Sequence, residues 1–143
     1  MTLTYIPFAE ADVLLDWNEL TEALVKGHDM PKAEIDDTFL YRGQDTLLSR
    51  SAWIDGMGIA VKSATVLPGN PAQGVPMVNG AVSLFSDQTG QLDALIDFHL
   101  VTKWKAVGDS LLAAKHLARP DSKTILIVGA GTVGRSVHAA FGT

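Results

Sequence analysis

The chain has 143 residues, enough for one domain with a sizeable core, and 47% of them are apolar, which excludes a disordered chain. With no cysteine there is neither a disulfide framework nor thiolate chemistry. The formal charge of −5 concentrates in residues 1–40, where nine Asp/Glu are set against Lys26 and Lys32, and this argues against nucleic acid as a partner. No apolar run approaches the roughly 20 residues that cross a bilayer, so no membrane span is expected. The N-terminus lacks the basic start and apolar core of a secretory signal, and the expected compartment is cytoplasmic.

Residues 9–26, AEADVLLDWNELTEALVK, place Val13, Leu14, Trp17, Leu20, Leu24 and Val25 at three- and four-residue spacings, predicting one amphipathic helix ended by Gly27. The acids of this first segment read as a solvated helix face. From about residue 47, LLSRSAWI, GIAVKSATVL, MVNGAVSLFSD and QLDALIDF are short segments rich in β-formers, separated by DGMG, PGNPAQGVP and DQTG. They predict an antiparallel or mixed sheet. LVTKWKAVGDSLLAAKHLARP then predicts a connecting helix over about 102–118, with Thr102 as its cap and Trp104, Val107, Leu111, Ala114 and Leu117 as its apolar stripe.

The last segment carries the sharpest motif. Thr124 to Val128 is an apolar, β-branched run that suits a strand buried in a parallel sheet. Gly129, Gly131 and Gly134 follow as G-x-G-x-x-G, the spacing that gives a tight turn, a close backbone approach to a pyrophosphate and close helix packing. Arg135 to Phe141 would open the helix whose N-terminal amides face the phosphates. Gly129, Gly131, Thr132, Val133 and Gly134 are therefore the candidate contacts to NAD or NADP. The residue that selects between those two is expected about 20 positions further on. The order of elements implies an α+β domain followed by the first strand and helix start of a truncated Rossmann α/β domain.

The succession VKSATVLPGNPAQG, then AVSLFSDQTGQLDALIDFHLVTKWKAVGDSLLAAKHLAR, then KTILIVGAG resembles the ornithine cyclodeaminase and mu-crystallin family, over about residues 20–141 and most strongly from Val61 onward. The resemblance implies a substrate-binding and dimerisation domain over 1–119 and the start of an NAD(P)-binding domain over 120–143. It also implies a homodimer, and an N-terminal piece of a protein more than twice as long. The implied reaction is conversion of L-ornithine to L-proline and ammonia by internal hydride transfer. Two alternatives stand beside it: an NAD(P)H-dependent reductase of a cyclic ketimine such as pyrroline-2-carboxylate, or an amino-acid dehydrogenase, and a non-enzymatic mu-crystallin-like binder or inactive fragment. The substrate is accordingly a small amino acid or cyclic imino acid.

By the same resemblance Lys62, on a strand ahead of a Pro-x-Asn turn, matches the family's signature lysine and would be both catalytic and substrate-binding. On pattern alone a lysine in an alternating strand faces solvent, and burying it needs a counter-charge that a substrate carboxylate would supply. Lys105 stands where the family usually has the arginine of Arg-Thr-Ala-Ala, and Lys32 where it has the arginine of a Pro-Arg pair. A lysine is a point charge where arginine forks onto a carboxylate, so both substitutions alter the expected clamp. Arg42 and Arg50 are alternative clamp residues. A family threonine is replaced by Met77, with Asn79 as a nearby polar substitute, and Asp109 lies one helical turn from Lys105. His28, His99, His116 and His138 lack ligand spacing, so no metal is expected. Asp87 reads as a turn residue.

Overall fold

A computed structural model describes residues 3–142. Its frame is a mixed sheet of six strands in the order β1-β6-β5-β4-β3-β2. The strands are β1 (Thr4–Ile6), β2 (Glu34–Arg42), β3 (Asp45–Ile54), β4 (Gly58–Val66), β5 (Val78–Phe85) and β6 (Leu92–Asp97). β2 to β6 form an antiparallel meander, and β1 joins the far edge parallel to β6. The helices are α1 (Phe8–Ala11), continued by a 3₁₀ turn at Asp12–Leu14, then α2 (Trp17–His28), α3 (Phe98–Leu117) and α4 (Thr132–Ala140). A mixed sheet with helices is the α+β arrangement that the strand-like segments predict.

Four details differ from the sequence expectation. The single helix over 9–26 is broken: Leu15 is extended, and the Asp16 carboxylate accepts hydrogen bonds from the amides of Asn18 and Glu19, restarting the helix as α2. Val13 and Leu14 consequently stay about four-fifths exposed (79% and 80%), and α2 runs through Gly27 to His28. Secondly, Glu34, Asp36 and Asp37 lie on β2, outside any helix. EIDDTFLYR sets Ile35, Phe39 and Tyr41 on one face and Glu34, Asp36, Thr38 and Arg42, with Leu40, on the other, so it is a strand with an acidic composition. The meander thus begins at residue 34, with Gly43 supplying the left-handed φ of 60° in the turn to β3.

Thirdly, the connecting helix starts at Phe98, four residues before Thr102. Asp97 is its cap, its carboxylate taking the amides of His99 and Leu100 at 2.7 and 3.3 Å. Thr102 is an interior helix residue whose hydroxyl is buried without a partner among the described residues. Fourthly, residues 124–128 form no strand. A strand needs a neighbour to pair its amides and carbonyls, and here none is adjacent; Leu126 and Val128 remain 87% and 92% exposed. α4 does form after the glycines.

The core is where α3 crosses the sheet and meets α2. Trp17 stacks on Trp104 with ring centroids 3.9 Å apart, and Leu100, Val107, Leu111 and Ala140 complete the buried cluster. Asp12 pins the N-terminal turn to α3, accepting from Lys103 Nζ at 2.6 Å and Trp104 Nε1 at 2.7 Å. The same helix reaches the sheet through Phe98, buried against Gly80 of β5. A Cβ built on Gly80 would stand 2.8 Å from the Phe98 ring and 2.1 Å from the Ser63 carbonyl oxygen, so only glycine admits the ring this close.

Candidate active site

Pairing register decides which side chains share a face, because residues directly opposite in a ladder point the same way. Asp37, Arg50, Lys62, Val82, Ile96 and Ile6 are cross-strand partners in succession and form one row across the sheet. Val82 is buried in that row, and Ile96 and Ile6 pack against the core cluster. Lys62 therefore points to the helix-covered face, resolving the choice its alternating strand left open. It is half-buried, with Nζ 5.9 Å from the centre of the Phe98 ring. Among the described residues no carboxylate comes within ion-pair distance of it.

Its neighbour Arg50 is paired. Nε and one terminal nitrogen donate to the two oxygens of Asp37 at 2.7 and 2.5 Å. These hydrogen bonds hold the Asp37 carboxyl below its ordinary range, with a further downward pull from the charge of Lys62. The partnership correspondingly raises the Arg50 guanidinium.

Lys105 lies on α3 seven residues beyond Phe98, about two turns or 10 Å along the axis. It is exposed and forms an ion pair with Asp109 one turn on. Lys32 is exposed on the loop between α2 and β2. Arg42 braces the β2–β3 turn against Asp45 at 2.8 Å. It stands five residues from Asp37 along β2, about 17 Å at strand rise, so it takes no part in the Lys62 row. Met77 is exposed, and Asn79 donates its side-chain amide to the Pro76 carbonyl at 2.8 Å. Asp87 does more than turn the chain: it accepts from Trp53 Nε1 at 2.7 Å and from the Gly56 amide at 3.1 Å, tying two hairpin ends together.

The glycine-rich loop has the positive φ and close glycine packing that a pyrophosphate cradle needs, although residues 124–128 ahead of it form no strand. Gly129 has φ of +103°, which disfavours any side chain. A Cβ on Gly134 would lie 2.5 Å from the Gly129 carbonyl oxygen, the close approach expected of the third glycine. α4 begins at Thr132 with Gly131 as its N-cap and no side-chain cap, so among the described residues its first amides have no side-chain acceptor. These residues fit a dinucleotide pyrophosphate.

Residues 51–143 match the family model for ornithine cyclodeaminase/mu-crystallin proteins. The chain belongs to that family. It is 46% identical over 137 residues to the Delta(1)-pyrroline-2-carboxylate reductase of Paracoccus denitrificans, covering 96% of this chain and 43% of that protein. In fold it is similar to an archaeal alanine dehydrogenase solved as a dimer with bound NAD (TM-score 0.86, 26% identity, 98% of this chain and 45% of that one). A Thermococcus litoralis Delta(1)-pyrroline-2-carboxylate reductase holding NADH and L-proline is similar too (TM-score 0.82, 26% identity, 97% and 45%). The chain thus spans less than half the length of these relatives.

The sequence marks Lys62 as a candidate and Arg50 as an alternative clamp, but not Asp37 as the partner of Arg50. The signal was the Gly43 turn between two alternating runs, which fixes the β2–β3 register and puts Asp37 opposite Arg50.

Proposed function

We propose that this chain carries the substrate face and the first part of the cofactor loop of an NAD(P)H-dependent reductase of a cyclic imino acid, with pyrroline-2-carboxylate as the leading substrate. The observation that carries this reading is Lys62: a half-buried ammonium on the helix-covered face, beside an aromatic ring and without a carboxylate partner among the described residues. A substrate carboxylate fits that vacancy in charge. The 46% identity to a pyrroline-2-carboxylate reductase supports the reductase over the cyclodeaminase reaction.

Gly129, Gly131, Thr132, Val133 and Gly134 would hold the pyrophosphate, and the nicotinamide would supply the hydride. Lys62 would anchor the carboxylate and orient the imine carbon, with Phe98 shielding one side from water. Lys105, paired with Asp109, would add a second positive charge from α3, and Lys32 a third from its loop.

The surface supports a larger assembly. The chain exposes 9991 Å², whereas a self-contained folded protein of 15.2 kDa exposes about 7,100 Å². On the sheet face opposite Lys62, Tyr5, Leu40, Leu47 and Trp53 are exposed, which suits burial against a second copy in a homodimer.

The test is nicotinamide oxidation by the natural-length protein with pyrroline-2-carboxylate, run beside ammonia release from L-ornithine. The reading expects the first activity and its loss in Lys62→Met. Ammonia release without imine reduction would replace it with the cyclodeaminase, and binding without either turnover with the non-enzymatic binder.

A further inference from the structure

Two cations, Arg50 and Lys62, stand side by side on this sheet, and one carboxylate, Asp37, flanks the pair on the Arg50 side. Arg50 and Lys62 are directly opposite on β3 and β4, where side chains begin about 5 Å apart and like charges repel. Asp37, opposite Arg50 on its other side, neutralises one of them. Around them the same face is apolar, with Leu48, Ala52, Ala60, Ala64 and Val82 as neighbours in register. A row with one uncompensated positive charge on a low-polarity surface is held ready for an anion.

Arg50 differs from Lys62 in geometry. Asp37 engages Nε and one terminal nitrogen, which fixes the guanidinium plane and leaves its remaining nitrogen without a hydrogen bond among the described residues. The side chain keeps 55% of its surface exposed. Lys105 and Lys32 give the site only point charges, so Arg50 is the planar donor on the Lys62 row.

We propose that Arg50 is a substrate-binding residue, a second arm beside Lys62 for the carboxylate of the imino acid, and that Asp37 is the positioning residue that aims it. The proposal rests on the reductase reading for the identity of the ligand, while the carboxylate chemistry follows from the charge row alone.

The experiment uses the natural-length protein with two readouts, steady-state imine reduction and equilibrium binding of L-proline by calorimetry. Arg50→Met is expected to raise KM for the imino acid and weaken proline about 10- to 100-fold, as expected for one lost charge-assisted contact. KM for the nicotinamide cofactor stays unchanged. Arg50→Lys keeps the charge and recovers part of the affinity, which separates loss of contact from loss of fold. Asp37→Asn gives an intermediate defect in the same two quantities. Proline binding by Arg50→Met equal to wild type overturns the proposal and leaves the reductase reading standing. A wild-type protein that binds proline through Arg50 yet reduces no imine sinks the reductase reading and keeps the proposal. No proline binding by the wild type overturns the proposal outright.

Discussion

Replacing three glycines by alanine tests how α3 is seated on the sheet and on α2. At Gly80 the new methyl would meet the Ser63 carbonyl oxygen at 2.1 Å and the Phe98 ring at 2.8 Å. The first obstacle is backbone in the neighbouring strand, so relief requires β4 and β5 to part or Phe98 to leave its place. Overpacking of this kind costs about 2–3 kcal/mol, a fall in Tm of about 8–12 °C for a domain of this size. At Gly108 the obstacle is Leu20 Cδ2 at 2.6 Å, the end of a side chain that can rotate, and the cost drops to about 1 kcal/mol. At Gly27 nothing lies within 4 Å, in the last turn of a helix, so alanine gains about 0.5 kcal/mol by restricting the unfolded chain. Urea and thermal unfolding followed by circular dichroism read the series. The expected order of stability is Gly27→Ala, wild type, Gly108→Ala, Gly80→Ala. A Gly80→Ala protein that unfolds with the wild type would refute the close seating of Phe98, and with it the position assigned to Lys62.

Three further outcomes follow from the same structure. Burial pushes the Asp12 carboxyl up, but hydrogen bonds from Lys103 and Trp104 together with the Lys103 charge outweigh it and hold the group below its ordinary 3.8. Its stabilisation is thus present above 3.8 and is lost as pH falls through the lower folded value. Asp12→Asn should cost about 2 kcal/mol at neutral pH and flatten that part of an acid titration followed by tryptophan fluorescence; an unchanged titration would remove Asp12 from the account. Gly134→Val should raise KM for the nicotinamide cofactor sharply, since even a Cβ there stands 2.5 Å from the Gly129 oxygen, with KM for the imino acid unaffected. Lys62→Met should lower kcat/KM for the imino acid about 100-fold with little change in Tm, and a comparable loss of stability would make Lys62 structural.

The legible parts of the fold were those where one period or one spacing dominates. The stripe gives α3, and its Trp104, Val107 and Leu111 are buried, whereas Ala114 is only partly covered and Leu117, at the end of the helix, is 83% exposed. G-x-G-x-x-G gives the loop and the start of α4, confirmed in shape by the φ of Gly129 and the crowding at Gly134. Strand β2 was hidden because its acids outweighed its alternation, and the break at Asp16 because a helical spacing of Val13 to Trp17 persists across a cap. The strand over 124–128 was overread: its composition is β-forming, but pairing is a property of neighbours, and none is beside it. The motif singles out Lys62 as a candidate, whereas the Asp37–Arg50 pair depends on cross-strand register, which single-residue patterns do not encode.

The reductase reading rests most directly on where a hydride goes. The natural-length protein should be given pyrroline-2-carboxylate and a reduced nicotinamide cofactor carrying deuterium at C4, and the product analysed by mass spectrometry and NMR. Proline with a single deuterium at Cα, formed one for one with oxidised cofactor, is the predicted result. Untouched imine, with proline and ammonia arising instead from L-ornithine and no net consumption of cofactor, would contradict it.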